Sequence, residues 1–389
     1  MLDQLTEQCR QSNPLNESQV RSAVAALIDE AIAPETKADF LAALAKKGET
    51  VEEIATFARE LREKTVAVQL DPETRAREIL DVCGTGGDHL NTFNISTTVA
   101  LVAASAGVTV AKHGNRAVTS KSGSADVLEA IGIKIDLSPE AAAEGLKKHQ
   151  FAFFFAPRFH PAFKHIAPAR KLCAQQGQRT IFNLLGPLLN PVRPTAQLIG
   201  VPRPEFCEPM ARVLQLLGIR RGMVVSGEVE TSNLQPPTST AQAANPELLP
   251  SFLDEFSTLG ETHVAEFYQE RGLNCATMSP KNFPLQPASL KDLAGDDSKT
   301  NAEIVRQIFS GQERGPKLDA VLLNSAAALF VAGRVKNLNE GWALAKESIR
   351  NGATERKLNE LIEFSRNVEG LLPRRLPWRL SAQAFRFRL

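Results

Sequence analysis

The sequence predicts an α/β protein: a small N-terminal helical domain followed by a larger α/β domain with a mainly parallel central sheet. The first seventy or so residues carry apolar side chains at helical spacing only. From about residue 78, short apolar runs alternate with helical stretches, the pattern of strands joined by crossover helices. Two successive strands also run into loops rich in glycine, hydroxyls and basic residues, at the sheet edge where such folds hold ligands.

In chain order, Asn16 caps a helix with Gln19 three residues on, and Val20, Val24, Leu27 and Ile28 form its apolar stripe. A second helix carries Phe40, Leu41 and Leu44 and stops at Gly48. A third opens with the capping box Thr50…Glu53 and buries Val51, Ile54, Ala58 and Leu61. Such short amphipathic helices must pack on something. Residues 1–72 are therefore expected to form a helical domain, joined by helices from about 165–192, or a dimer surface. Strands are predicted at 79–82, 108–110, 151–155, 198–201, 223–225 and 264–267, within an α/β domain spanning 73–366. Residues 229–251, with Pro236, Pro237, Pro246 and Pro250, read as an inserted surface loop. Helical pattern resumes after Asn301 and lasts to about Arg366. The tail 367–389 is arginine-rich: Arg374, Arg375, Arg379, Arg386 and Arg388 lie beside Trp378, Phe385 and Phe387.

Composition narrows the function. With 389 residues, 43% hydrophobic and 23% charged, the chain can build a large core. A net charge of +1 offers no general attraction for nucleic acid or anionic membrane, so any basic site must be local. Cys9, Cys83, Cys173, Cys207 and Cys275 are scattered and form no CxxC pair. That argues against a zinc site or a disulfide framework and for a reducing, cytoplasmic setting. The start, Met1-Leu2-Asp3-Gln4, is unlike a signal peptide, and no apolar run approaches the ~20 residues that span a bilayer. No membrane partner is expected.

The chemistry concentrates in two loops. Asp81-Val82-Cys83-Gly84-Thr85-Gly86-Gly87-Asp88 takes a strand into three glycines, then towards a helix starting near Ser96. Glycines let the backbone approach a ligand and present its N–H groups, and a helix start adds unpaired donors, so this is phosphate-binding architecture. Asn94, Ser96 and Thr97 could equally serve as plain helix caps. The second loop, Lys112-His113-Gly114-Asn115-Arg116, continues through Ser120 to Gly123-Ser124-Ala125-Asp126. Its two basic side chains, Lys112 and Arg116, suit a polyanion. A third strand leads to Ala156-Pro157-Arg158-Phe159-His160-Pro161. His160 and His165 have no carboxylate or cysteine at metal spacing and read as structural.

Taken together, these residues resemble the anthranilate phosphoribosyltransferase family. The resemblance rests on Gly84–Asp88 with Thr92-Phe93-Asn94-Ile95-Ser96-Thr97, on Lys112–Arg116 with Gly123–Asp126, on Arg179 to Pro187, and on Asn324-Ser325-Ala326-Ala327. It runs from the first helix to about Arg366. It implies transfer of a phosphoribosyl group from phosphoribosyl pyrophosphate to anthranilate, a step of tryptophan biosynthesis, by a cytoplasmic homodimer that contacts through its helices and uses Mg2+. Gly84, Gly87, Asp88, Thr92, Asn94, Ser96, Thr97, Lys112, Ser120 and Ser124 would then hold phosphoribosyl pyrophosphate. Gly84, His113, Asn115 and Arg170 would face anthranilate, Arg170 towards its carboxylate. Ser96, Asp254 and Glu255 would serve the metal. No acid or base is assigned, because a neutral aromatic amine needs positioning more than deprotonation before attack. The family reads His-Gly-x-x-Gly immediately ahead of its Leu-Asp-Glu. Here the strand ends Val225-Ser226-Gly227 and the insertion intervenes before Leu253-Asp254-Glu255, leaving Glu228 and Glu230 as rival acids. Two other readings remain: a related transferase with another aromatic acceptor, and a non-catalytic nucleic-acid-binding relative with the tail as a basic arm.

Overall fold

A computed structural model describes residues 1–117, 121–230, 251–269 and 272–371, with 368–371 described by backbone alone. Ser120, residues 231–250 of the expected insertion and 372–389 of the tail lie outside the described residues. No helix among the described residues is long and apolar enough to cross a membrane.

The chain opens with four helices: α1 (Leu2–Arg10), α2 (Glu17–Ile28), α3 (Pro34–Lys47) and α4 (Val51–Arg62). Both expected capping boxes are present, Asn16 with Gln19 on α2 and Thr50 with Glu53 on α4. Gly48 ends α3 at φ 86°. The first helix, α1, was not predicted. Its buried stripe, Leu2, Leu5, Thr6 and Cys9, does recur at helical spacing, a signal that was available in the sequence. The four helices share one core around Leu27, Phe40 and Phe57, and Ile166, Ala169, Cys173, Leu185 and Leu188 from later in the chain complete it.

Next come α5 (Pro72–Ala76), β1 (Ile79–Gly84), α6 (Ile95–Ser105), β2 (Thr109–Gly114), α7 (Ser124–Ile131), α8 (Pro139–His149), β3 (Phe151–Phe155) and α9 (Ala156–Phe159). Then follow α10 (Ala167–Gln175), α11 (Phe182–Leu185), β4 (Ala196–Gly200), α12 (Cys207–Leu216) and β5 (Arg221–Val229). Of these, α10 packs on α3 and α11 on α4. The sheet order is β3-β2-β1-β4-β5, all parallel, continued by antiparallel β7 (Thr262–Tyr268) and β8 (Gly272–Met278). A short strand between β5 and β7 in sequence, β6 (Ser251–Leu253), pairs with the end of β5. The sheet is mainly parallel, as expected; β6 and β8 were missed. Exposed Asn274, Cys275, Ala276 and Thr277 give β8 no apolar alternation to read.

Strand order reverses between β1 and β4, and parallel α/β sheets open a crevice at that point, outside the strands' carboxyl ends. Four helices end the described residues: α13 (Ser298–Phe309), α14 (Pro316–Val331), α15 (Leu338–Arg350) and α16 (Ala353–Leu371). α14 is buried almost all round, between α6 and α15. α16 runs past Arg366 into what the sequence suggested was tail.

Candidate active site

A cavity of about 390 Å³ fills the switch-point crevice. Gly84 and Gly200 are register partners on β1 and β4, and the loop after β6 crosses directly above them. A Cβ on Gly84 would collide with the Asp254 carboxylate, and one on Gly200 with the Asp254 backbone carbonyl. Glycine at both positions lets that loop sit down on the sheet. Gly86 donates its N–H to Asp254 Oδ2 (2.8 Å), and Ser96 at the start of α6 donates its N–H to Glu255 Oε1 (3.0 Å). Asn324 of α14 clamps the same loop from behind. Its Oδ1 accepts from Phe256 N (2.8 Å) and its Nδ2 donates to Phe256 O (3.0 Å). Glu228 and Glu230 do not line the cavity; the backbone N–H of Glu228 pairs with Glu261 O, just ahead of β7.

The glycine loop itself is contorted. Gly86, Gly87, His89 and Asn91 all have positive φ, and a non-glycine residue held there marks a segment shaped by more than local preference. Enclosure by protein pushes the Asp254 carboxyl well above the usual range, and Asp88 and Glu255 beside it push it further. Enclosure also raises Glu255, to about 8, although Lys112 pulls the other way. Lys112 is 1% exposed, and burial lowers its pKa; its Nζ donates to Val82 O (2.6 Å) and lies 3.4 Å from Ser96 Oγ. Three acids and one buried lysine thus converge on a floor of backbone N–H groups.

The opposite wall is aromatic. His113 Nδ1 lies 3.2 Å from Gly186 O, and its Nε2 lies 2.9 Å from His160 Nε2. Burial depresses both imidazoles, His113 well below the ordinary range and His160 to about 4, so the pair is neutral. With the Gly186 carbonyl as acceptor, His113 carries its proton on Nδ1 and takes the hydrogen bond from His160. Arg170 stacks over Phe182, its guanidinium carbon 5.3 Å from the ring centroid. The guanidinium has no ion-pair or hydrogen-bond partner among the described residues, and burial alone lowers its pKa. An unpaired guanidinium on an aromatic face is a receptor for a planar anion.

Residues 3–65 match the family model described as "Glycosyl transferase family, helical bundle domain". Residues 76–248 and 248–355 match "Glycosyl transferase family, a/b domain". Over 326 residues, 84% of this chain and 86% of the relative, the sequence is 44% identical to an anthranilate phosphoribosyltransferase of Petrotoga mobilis. This chain belongs to the anthranilate phosphoribosyltransferase family. The crystal structure of that enzyme from Thermus thermophilus superposes with a TM-score of 0.78 at 37% identity, covering 93% of this chain and 99% of that one. The Saccharomyces cerevisiae enzyme in complex with PRPP and Mg gives 0.78 at 26% identity, covering 94% and 98%.

Of the residues that the anthranilate phosphoribosyltransferase motifs singled out, Gly84, Gly87, Asp88, Thr92, Asn94, Ser96, Thr97, Lys112, His113, Asn115, Ser124, Arg170, Asp254 and Glu255 all line the one cavity. Asn94 begins α6 but makes no side-chain cap. It donates to Ser122 O (3.0 Å) and accepts from Asn301 Nδ2 (2.9 Å), tying the two loops to α13. Arg116 corrects the polyanion reading of its loop. Its guanidinium binds Asp126 (2.9 Å) and Glu129 (2.8 Å), lies over Phe155, and does not line the cavity. His160, a structural residue by its sequence context, forms part of the cavity wall. Phe163, Phe182, Asn183, Pro187 and Leu189 line that wall too. The Arg179–Pro187 motif was the available signal for most of them, yet Arg179 itself faces away and pairs with Glu49 (2.8 Å).

Proposed function

We propose that this protein transfers the phosphoribosyl group of phosphoribosyl pyrophosphate to the amino group of anthranilate, releasing pyrophosphate, in tryptophan biosynthesis. One observation carries the acceptor assignment: the unpaired Arg170 guanidinium, stacked on Phe182, faces the same cavity as the glycine-rich anion cradle. An aromatic carboxylate fits the first and a polyanion the second. Gly84, Gly87, Asp88, Thr92, Asn94, Ser96, Thr97, Lys112 and Ser124 are assigned to the donor, and Gly84, His113, Asn115 and Arg170 to anthranilate.

As the amine attacks the anomeric carbon, the bond to pyrophosphate breaks and negative charge grows on the leaving oxygens. Lys112 and the N–H groups of the glycine loop supply fixed positive potential for that charge. Asp254, Glu255 and Asp88 repel one another in a confined space, the donor set that a hard divalent cation completed by phosphate oxygens suits, with Ser96 adjacent. Magnesium held there would neutralise charge on the departing pyrophosphate. His113 and His160 share one hydrogen bond and are held neutral by burial, so they orient the aromatic ring rather than take its proton. The amine loses that proton readily once it has attacked. We further infer a cytoplasmic homodimer contacting through the helical bundle; the family resemblance and the free cysteines support this reading. A nucleic-acid-binding role has no general basic charge to rest on, the net being +1.

Turnover with phosphoribosyl pyrophosphate and Mg2+ against anthranilate, aniline and 4-aminobenzoate tests the proposal. Anthranilate is expected to be consumed fastest, and chelation of the metal to stop the reaction. Equal rates with aniline, which lacks the carboxylate, would refute the acceptor assignment.

A further inference from the structure

Resting on that acceptor reading, we propose that Lys37 and Arg62, buried cations of the helical bundle that do not line the cavity, are positioning residues for anthranilate. Lys37 of α3 is 2% exposed, and its Nζ donates to two backbone carbonyls, Asp29 O (2.7 Å) and His165 O (3.0 Å). Arg62 of α4 is 7% exposed, and its Nε donates to Leu188 O (2.6 Å). Burying a cation is costly unless it is well used. Closing off the end of α2 would not require the His165 contact, and closing off α4 would not require the Leu188 contact.

The two carbonyls bracket the segment that forms the acceptor wall. Between them lie α10 with Arg170, α11 with Phe182, and the turn after α11, and Arg179 adds a third tie through Glu49. The turn is held closely: the carbonyls of Gly186, Pro187 and Leu188 are met in succession by His113 of β2, Gln197 of β4 and Arg62 of α4. The donor cradle uses neither the Lys37 nor the Arg62 tie, since its loops rise from β1 and β2 and are fixed by Asp254, Glu255, Asn301 and Asn324. The wall is therefore held jointly, by the helices at His165 and Leu188 and by the sheet at Gly186 and Pro187, while the cradle stands on the sheet alone. Loosening either pin displaces Arg170 and Phe182 but leaves the phosphate site where it is.

Steady-state kinetics of Lys37→Met, Arg62→Met and Arg62→Lys, together with hydrogen–deuterium exchange of the substrate-free proteins, test this. Each methionine variant is expected to raise KM for anthranilate about fivefold or more while KM for phosphoribosyl pyrophosphate stays within about twofold, because displacement by an ångström is enough to spoil positioning. Arg62→Lys should recover most of the loss, and faster exchange should be confined to residues 160–189. Equal changes in both KM values, an Arg62→Lys variant no better than Arg62→Met, or exchange rising equally across 79–114 would overturn the proposal. Should Lys37→Met fail to fold, the Arg62 pair decides the matter. A wild-type protein inactive on anthranilate would sink the acceptor reading alone, and the exchange pattern would still judge the pins.

Discussion

The two sides of the cavity solve opposite problems. On the side proposed for the donor, charges crowd together and are already in contact: Asp254 and Glu255 accept backbone N–H groups, and Lys112 donates to Val82 O with Ser96 Oγ beside it, leaving a donor to spare. On the acceptor side a single cation, Arg170, sits on an aromatic ring with no polar partner among the described residues. A crowded polar floor is preorganised and loses little on binding a polyanion. A lone guanidinium against apolar walls gains most from one particular ligand and rejects those that leave it unpaired. On the proposed assignment, affinity for the donor is thus spread over many groups, whereas selectivity for the acceptor is concentrated in one.

The comparison breaks most visibly at the acidic loop. Asp254→Asn combined with Glu255→Gln is expected to lower kcat/KM by about 10³-fold or more under saturating Mg2+, since the reaction is accelerated chiefly by neutralising charge on the leaving group. Glu228→Gln with Glu230→Gln should remain near wild type; a dead second variant would show that the insertion has been bridged wrongly. Next in size, Arg170→Ala should raise KM for anthranilate roughly ten- to a hundredfold, the worth of a charge-assisted hydrogen bond of about 1.5–3 kcal/mol, with little effect on KM for the donor. Equal losses on both substrates would erase the distinction between the walls.

A smaller effect concerns pH. His160 is held near 4 in the folded protein, below its unfolded value near 6.5, so it contributes stability that is complete above about 6.5 and lost as pH falls towards 4. Glu255 and Asp81, raised to about 8 and about 6, act in the opposite sense. The His160 contribution is therefore best measured as a difference. Between pH 7 and pH 4.5, wild type should lose about 2–3 kcal/mol more unfolding free energy than His160→Phe. Identical pH dependence in the two proteins would mean that His160 is not held neutral. Least of all, Arg116→Ala should cost about 0.5 kcal/mol in stability and leave both KM values within about twofold, because its ion pairs are half exposed and outside the cavity. A large rise in the donor KM would return Arg116 to the phosphate site.

The donor side was legible in the sequence because its logic is local. Three glycines, a helix start and a lysine follow one another within forty residues, and each has a meaning that needs no tertiary contact. The same holds for the capping boxes at Asn16 and Thr50, which mark their helices from four residues each. The acceptor wall was only half legible. Phe182 and His160 acquire their roles from Arg170 and His113, which lie 12 and 47 positions away, and an aromatic or a histidine in isolation reads as core. Arg116 misled for the complementary reason: a basic residue in a glycine loop looks free until Glu129, on the next helix, is seen to hold it. Asn324 belonged to a motif that the sequence displayed, but its task of clamping Phe256 spans 68 residues and has no local signature. β8 escaped because it carries too little apolar alternation to set a period, and α1 because its helical stripe of Leu2, Leu5 and Cys9 is only nine residues long.

The pairing of β5 with β6 has a consequence for how this protein can change. Val229 lies opposite Ser251, and two rungs further in Gly227 lies opposite Leu253, one residue before Asp254. Whatever is added between Val229 and Ser251 therefore departs from and returns to a single point, and the ladder shields the acidic loop from its length. Growth or shrinkage at this address exerts no leverage on the register that delivers Asp254 to the crevice, so lineages, or protein engineers grafting a reporter, can rewrite it without renegotiating the chemistry.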